Sequence, residues 1–209
     1  MFDIGTGYGY FTEVVKKKFK TFSVSGMDLN HNKLNYGKNT LKLNFNAIYN
    51  KIEDESFIKK NEENFDIITS WHVLEHVFDP ILWLKNIYRL LKKGGYIILE
   101  LPNEDDELIK LSSGYSNIVH FQDHVNYFTK NTLQKLFELC GIENYEIKGI
   151  QRYGFYNYID WIRFNTKDKV ISDDYRNIKD EPRSEIEKMW IKYREDNLIA
   201  DTLFAVIKK

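Results

Sequence analysis

Two carboxylates, three alternating glycines and four histidines are the residues whose types and spacing can do chemistry in this 209-residue chain. Gly5, Gly7 and Gly9 follow a short apolar run of Met1, Phe2 and Ile4, and they let the backbone turn sharply against a ligand before a helix begins. Asp3 lies just before that turn. Asp28 stands 19 residues beyond Gly9, at the end of a second candidate strand. A carboxylate at such a strand end can accept hydrogen bonds from both hydroxyls of a ribose. The combination reads as a nucleotide-type site. His72, His76, His120 and His124 add proton chemistry, because an imidazole titrating near about 6.5 is a suitable base at neutral pH.

Spacing decides the kind of nucleotide. A dinucleotide fingerprint needs Gly-x-Gly-x-x-Gly, and the third glycine would fall on Tyr10. An NAD-dependent reductase is disfavoured on that ground. The pattern Asp3-x-Gly5-x-Gly7-x-Gly9 instead resembles the first motif of class I S-adenosylmethionine-dependent methyltransferases. The segment Phe65–Ser70 followed by Trp71-His72-Val73-Leu74-Glu75-His76-Val77-Phe78-Asp79-Pro80 is similar to the family's fourth strand and the stretch after it, including the Leu-Glu-His triplet and the Asp-Pro pair. The resemblance implies S-adenosylmethionine as cofactor and S-adenosylhomocysteine as product. It implies that the turn of Gly5, Thr6, Gly7, Tyr8 and Gly9 makes room for the amino-acid part of the cofactor, with Asp3 near its ammonium. Asp28 and Leu29 fall to the ribose, Asn50, Lys51 and Ile52 with Glu53 to the adenine edge, and Ser70, Trp71 and His72 to the methionine part.

For an O-methylation, the acceptor hydroxyl must lose its proton as the methyl arrives. His124 is the first choice of base, with His120 and His76 behind it. His76 can equally serve to hydrogen-bond backbone and shape the pocket. His120-x-x-x-His124 has helical metal-ligand spacing, but no Glu follows the first histidine and Thr129 is the better helix N-cap, so no metal is expected there.

These residues need a scaffold of alternating strands and helices. Thr21–Asp28 reads as the second strand, Asn30 caps a helix to about Leu41, and Phe45–Tyr49 is a short third strand. Phe11, Val14, Val15 and Phe19 recur on one face of the first helix, with lysines opposite. Pro80 opens a helix through Leu91, and Gly95–Leu101 is the fifth strand. A polar loop, Asn103 to Gly114, is long enough to serve as a lid or binding loop. Thr129 caps a helix to Leu139, and strands follow at Tyr145–Ile150 and within Asn197–Lys209. The fold class expected is α/β, a Rossmann-like doubly wound sheet of seven strands, mostly parallel with an antiparallel last strand.

The resemblance implies a single methyltransferase domain over residues 1–209, with a helical insertion at 151–196 expected to cap the site or pair two subunits as a homodimer. Within it Tyr158, Trp161 and Ile162 form one apolar face, and Ile186, Met189, Trp190 and Tyr193 another. Gln151-Arg152-Tyr153-Gly154, with Asn157 and Trp161, also looks like enzymes of bacterial glycan and capsule pathways. That likeness makes a sugar or phosphate-linked glycan precursor the expected small-molecule acceptor, with N- or C-methylation, or a noncatalytic nucleotide-binding subunit, as the alternatives.

Lys+Arg of 30 against Asp+Glu of 31 gives no positive excess for nucleic acid or an anionic membrane surface. No run approaches the roughly 20 apolar residues that span a bilayer. The lone Cys140 excludes an internal disulfide and suits a reducing compartment, so the cytoplasm is the expected location. Methyltransferases of this type usually carry a helical segment before the first strand. Met1 falls inside that strand here, so either the chain begins late or a preceding segment is missing.

Overall fold

The computed structural model describes residues 1–167 and 184–209. Seven strands form one sheet in the order β3-β2-β1-β4-β5-β7-β6. They are β1 (Phe2–Ile4), β2 (Ser25–Met27), β3 (Asn46–Ile48), β4 (Phe65–Trp71), β5 (Leu91–Pro102), β6 (Tyr145–Ile150) and β7 (Thr202–Lys208). The first five run parallel. β7 enters antiparallel between β5 and β6, so the last strand alone runs against the other six, as expected.

The order reverses between β1 and β4. Open α/β sheets hold ligands at such a reversal, outside the carboxyl ends of the strands, because neighbouring crossovers leave the sheet in opposite directions and open a crevice. β1 is only three residues long, yet all three are buried between β2 and β4. Its glycine turn is therefore held from both sides. The core runs along β4 and β5, where Ile68, Ile97, Leu99 and Leu101 meet Leu84, Ile87 and Leu90 of α4 (Pro80–Leu90). Asp79 caps α4 by accepting the Leu82 N–H at 2.9 Å, and Pro80 occupies its first turn.

Several elements depart from the pattern in the sequence. The helix α1 (Tyr10–Lys18) leaves its apolar stripe open, with Val14 60% exposed and Phe19 44%. The next helix is short, α2 (His31–Asn35), and continues as a wider turn at Tyr36–Thr40. A further helix, α3 (Glu55–Lys60), capped by Asp54, precedes β4. The stretch after β5 is no plain loop: it contains α5 (Leu108–Leu111) and α6 (Ser113–Val119). α7 (Lys130–Leu139) starts at its Thr129 cap.

Between β6 and β7 lie α8 (Phe155–Phe164) and α9 (Glu185–Asp196); residues 168–183 of the segment 151–196 lie outside the described residues. Tyr158 and Trp161 of α8 are buried as their spacing suggests, whereas Ile162 is exposed. In α9 the inward face is the other one: Glu187, Ile191 and Arg194 are buried while Ile186, Met189 and Tyr193 face solvent. The cause is a polar core. Arg194, 1% exposed, donates to Gln151 Oε1 at 2.7 Å and pairs with Asp106 at 2.5 Å and Glu107 at 3.1 Å, with Tyr158 and Trp190 against its guanidinium. A buried cation with several partners outweighs an apolar stripe in setting which side turns in.

Candidate active site

The glycine turn leaves β1 with Gly5, Gly7 and Gly9 all at positive φ, 78°, 59° and 90°. The backbone N–H groups of Gly5 and Thr6 both donate to Met27 O, at 2.8 and 3.0 Å, tying the turn to the end of β2. Two of the glycines do different work. A Cβ at Gly9 would stand 2.2 Å from the Phe45 ring, so that position is filled by protein. A Cβ at Gly7 would meet nothing within 4 Å, so that face of the turn is an open cradle.

Asp28 lies beside the cradle. Its Oδ2 accepts the Gly7 N–H and its Oδ1 the Asn30 N–H, both at 2.8 Å. Each oxygen keeps a second acceptor position, so the carboxylate is oriented for a pair of hydroxyls. Asp3, by contrast, is sealed beneath the turn at 1% exposure and accepts the Thr69 hydroxyl at 2.7 Å. Burial pushes its carboxyl up to about 6, against the pull of Thr69, Thr6 and Trp71 nearby. Around the turn, Thr6 Oγ1, Ser70 Oγ and Trp71 Nε1 are buried and have no hydrogen-bond partner among the described residues. Thr6 and Trp71 face the buried Asp3 carboxyl beneath the turn, which leaves Ser70 Oγ as the buried polar atom with no partner beside it.

The remaining expected neighbours scatter. Tyr8 is half exposed and packs edge-on against Tyr36. Leu29 is open to solvent, as is Lys51, and Asn50 Oδ1 accepts the Lys51 N–H. Ile52 is buried in the core, and its carbonyl accepts the Asn86 side-chain N–H at 2.9 Å in a buried hydrogen bond.

On the other side of the segment after β4 lies a cavity of about 340 Å³. His72, Arg152, Tyr153, Asn157 and Trp161 line it, with Tyr115, Ile118 and Val119 from α6, His124, and Asp201 and Thr202 at the start of β7. His72 thus faces the cavity. Its residue sits at φ 53°, in the left-handed region. Its Nε2 lies 2.6 Å from Arg152 Nη1 and 3.1 Å from Glu100 Oε1, and its Nδ1 3.3 Å from Glu75 Oε1. A guanidinium only donates, so with Arg152 in place the ring accepts at Nε2 and carries its proton on Nδ1. Burial pulls the His72 pKa down, but Glu100 and Glu75 outweigh it and the net direction is upward. Protonation would therefore turn Nε2–H toward Glu100 at the expense of the Arg152 contact. Asp201 is saturated by the N–H groups of Arg152 and Tyr153, by Gln151 Nε2 and by the Thr202 hydroxyl. Its role is to fix the chain leaving β6.

The histidines divide. His124 is in the cavity wall and donates Nδ1–H to Val119 O at 2.7 Å, which leaves a lone pair on Nε2. His76 donates Nδ1–H to Asp123 O at 2.7 Å and stacks edge-on with His124, ring centroids 4.9 Å apart. His120 turns away. Its Nε2 is 3.0 Å from Glu104 Oε1 and its Nδ1 3.1 Å from Ser116 Oγ. The helix α6 ends before it, so His120 and His124 share no helical face. A different set has metal-ligand geometry: Glu75, His76 and His124 each bring one donor atom to within 4.8 Å of the others.

Glu75, Glu100, Tyr115 and Asp201 are site residues that motif reading passed over. Glu100 had one signal, a charge inside the apolar run Ile97–Leu101 at a strand's carboxyl end. Arg152, Tyr153, Asn157 and Trp161, which in the sequence carry only the likeness to glycan-pathway enzymes, share the property that they line this cavity.

A sheet reversing between β1 and β4, with a glycine turn after one strand and an acid after the next, is the layout of a nucleotide-type site on a Rossmann-like fold. Residues 1–147 match the family model described as a methyltransferase domain, and the chain belongs to that family. It is similar to the ubiquinone biosynthesis O-methyltransferase of Coxiella burnetii, 26% identical over 167 residues that cover 77% of this chain and 70% of the relative. In fold it is similar to a methyltransferase from Archaeoglobus fulgidus, with a TM-score of 0.62 at 18% identity over 100% of this chain and 85% of the other. It also superposes on phosphoethanolamine N-methyltransferase 2 of Haemonchus contortus in complex with S-adenosyl-L-methionine, with a TM-score of 0.60 at 18% identity over 100% of this chain and 48% of that one. The protein is an S-adenosylmethionine-dependent methyltransferase. No helix among the described residues is long and apolar enough to cross a membrane.

Proposed function

We propose that this methyltransferase methylates a hydroxyl of a small planar acceptor seated in the cavity between His72, His124, Arg152 and Trp161. The observation that carries the reading is His124: its Nδ1–H is committed to the Val119 carbonyl, so its Nε2 lone pair is the available proton acceptor in the cavity wall. The cofactor's sulfonium supplies a methyl group open to direct displacement. The chain's own residues align the partners and handle the proton. Gly7 leaves room for the amino-acid part, Asp28 orients the ribose, and Ser70 and Trp71 border the methionine part. Tyr115 and Trp161, 5.4 Å apart and edge to face, line the cavity with aromatic surface that suits a flat ring and excludes water. The acceptor hydroxyl loses its proton at His124. His76 supports that ring, and His120 has no part in the step.

The name of the Coxiella relative, an O-methyltransferase of ubiquinone biosynthesis, favours a hydroxylated aromatic ring over N- or C-methylation. The relatives give no support to the glycan precursor suggested by residues 151–161. Calorimetry with S-adenosylmethionine and turnover on a panel of ring hydroxyl acceptors test the proposal. Asp28→Ala should weaken cofactor binding, and His124→Ala should abolish turnover while leaving cofactor affinity intact. Wild-type turnover by His124→Ala would move the proton acceptor elsewhere.

A further inference from the structure

Glu75 presents an unusual cost. It is 2% exposed, and neither carboxylate oxygen has a hydrogen-bond partner among the described residues. Oε1 has only the 3.3 Å approach of His72 Nδ1, a contact outside hydrogen-bond geometry. Protonated His72 can serve as a cation at Oε1, and Oε2 is left with no partner among the described residues, a position that a bound cation would fill. Two imidazoles stand beside the carboxylate, each with a donor atom within 4.8 Å of a Glu75 oxygen. His76 and His124 both give their Nδ1–H to backbone carbonyls, Asp123 O and Val119 O, which leaves both Nε2 lone pairs free to act as ligands. Outer hydrogen bonds of this kind fix ring and tautomer in metal-ligating histidines.

The backbone holds the three residues in this relation. Glu75 O accepts the N–H groups of both Val125 and Asn126, at 2.9 and 3.0 Å, so the residue after His124 is clamped to the residue before His76. Asn126 Nδ2 adds a bond to Val77 O at 2.6 Å. The donor atoms of Glu75, His76 and His124 then lie within 4.8 Å of one another.

From this geometry we infer that Glu75, His76 and His124 form a divalent-cation site in the wall of the cavity. Two imidazoles and one carboxylate suit zinc, cobalt or manganese over calcium or magnesium, and three protein ligands leave a coordination position for an outside oxygen. The expectation of no metal rested on the pair His120 and His124. The set found here could not be read from spacing, because His124 is 48 residues beyond His76. The cation would occupy the same His124 Nε2 lone pair that serves as proton acceptor in the proposed function, so the two are exclusive states of one ring: with the cation bound, the acceptor hydroxyl would be acidified by the cation and its proton would pass to solvent. That role rests on the proposed function; the binding site itself does not.

The test uses the full chain, stripped with a chelator and titrated with Zn²⁺ by calorimetry and with Co²⁺ by visible absorption. One equivalent should bind, and Co²⁺ should give the intense bands of a low-symmetry nitrogen–oxygen site. Glu75→Gln, His76→Ala and His124→Ala should each weaken Zn²⁺ by more than the roughly 10–100-fold that loss of an outer partner causes. His76 is exposed, so its variant keeps the test valid should the buried Glu75→Gln fail to fold. The inference is overturned if the stripped protein takes up no stoichiometric Zn²⁺, or if folded His76→Ala and His124→Ala bind it as the wild type does. S-adenosylmethionine titrated into the same stripped sample separates the two readings. Cofactor binding without Zn²⁺ uptake removes the cation site alone, and Zn²⁺ uptake without cofactor binding removes the methyl-transfer reading alone.

Discussion

Adding one methyl group at Gly7 and one at Gly9 should produce opposite failures, although the two positions are a residue apart in the same turn. At Gly9 the backbone has φ 90° and the new Cβ would lie 2.2 Å from Phe45 Cε1 and 2.6 Å from Cζ. Phe45 is 4% exposed and cannot swing out. Overpacking of this kind costs about 1–3 kcal/mol, and a left-handed non-glycine residue about 1–2 kcal/mol more. At about 2–4 °C per kcal/mol for a chain of this size, Gly9→Ala should lower Tm by on the order of 5–15 °C. Gly7, at φ 59°, has nothing within 4 Å of the added carbon. Gly7→Ala then carries only the backbone term, about 1–2 kcal/mol, and melts a few degrees lower. Its methyl group instead intrudes on the cofactor, and a loss of about 1.4 kcal/mol there is already tenfold in Kd. Differential scanning calorimetry gives the first quantity, and titration with S-adenosylmethionine well below either Tm gives the second. The reasoning is refuted if Gly7→Ala binds the cofactor as the wild type does, or if Gly9→Ala melts with it.

Arg194→Met should strand the buried Asp106 carboxylate and destabilise by about 3–5 kcal/mol, whereas Arg194→Met combined with Asp106→Leu should recover much of the loss; equal Tm values for the single and double variants would count against the buried pair. Asp3 predicts a pH dependence. Its folded pKa of about 6 lies above the ordinary 3.8, so between those values the folded state binds the extra proton and stability falls as pH rises. Below about pH 4 the contribution is fully present, and above about pH 6 it is lost. Asp3→Asn should therefore flatten the fall in unfolding free energy between pH 4 and 6.5 by up to about 3 kcal/mol, measured by urea titration at each pH. An unchanged slope would mean that Asp3 is ionised at low pH in the folded state.

The sequence by itself determined the parts whose physics is local. A glycine turn after an apolar strand, an acid closing the next strand, and Asp79-Pro80 opening a helix each act through neighbours a few residues away, so spacing reports them directly. Seven strands and their parallel start followed from the alternation of period and turn residues. The glycine turn and the acid beside it were legible for that reason, down to Gly7 and Asp28. Tertiary structure alone decided what lines the cavity beyond them. The His72 ring meets Arg152, 80 residues later, and His124 meets Glu75 because backbone carbonyls clamp the segments together. No periodicity encodes such meetings. It also decided which face of α9 turns inward, against the apolar stripe, since Arg194 finds Asp106 and Gln151 only once the sheet is assembled. Asp3 shows the limit on a single residue: its position in the motif was plain, but its burial, and with it the raised pKa, exists only under the folded turn.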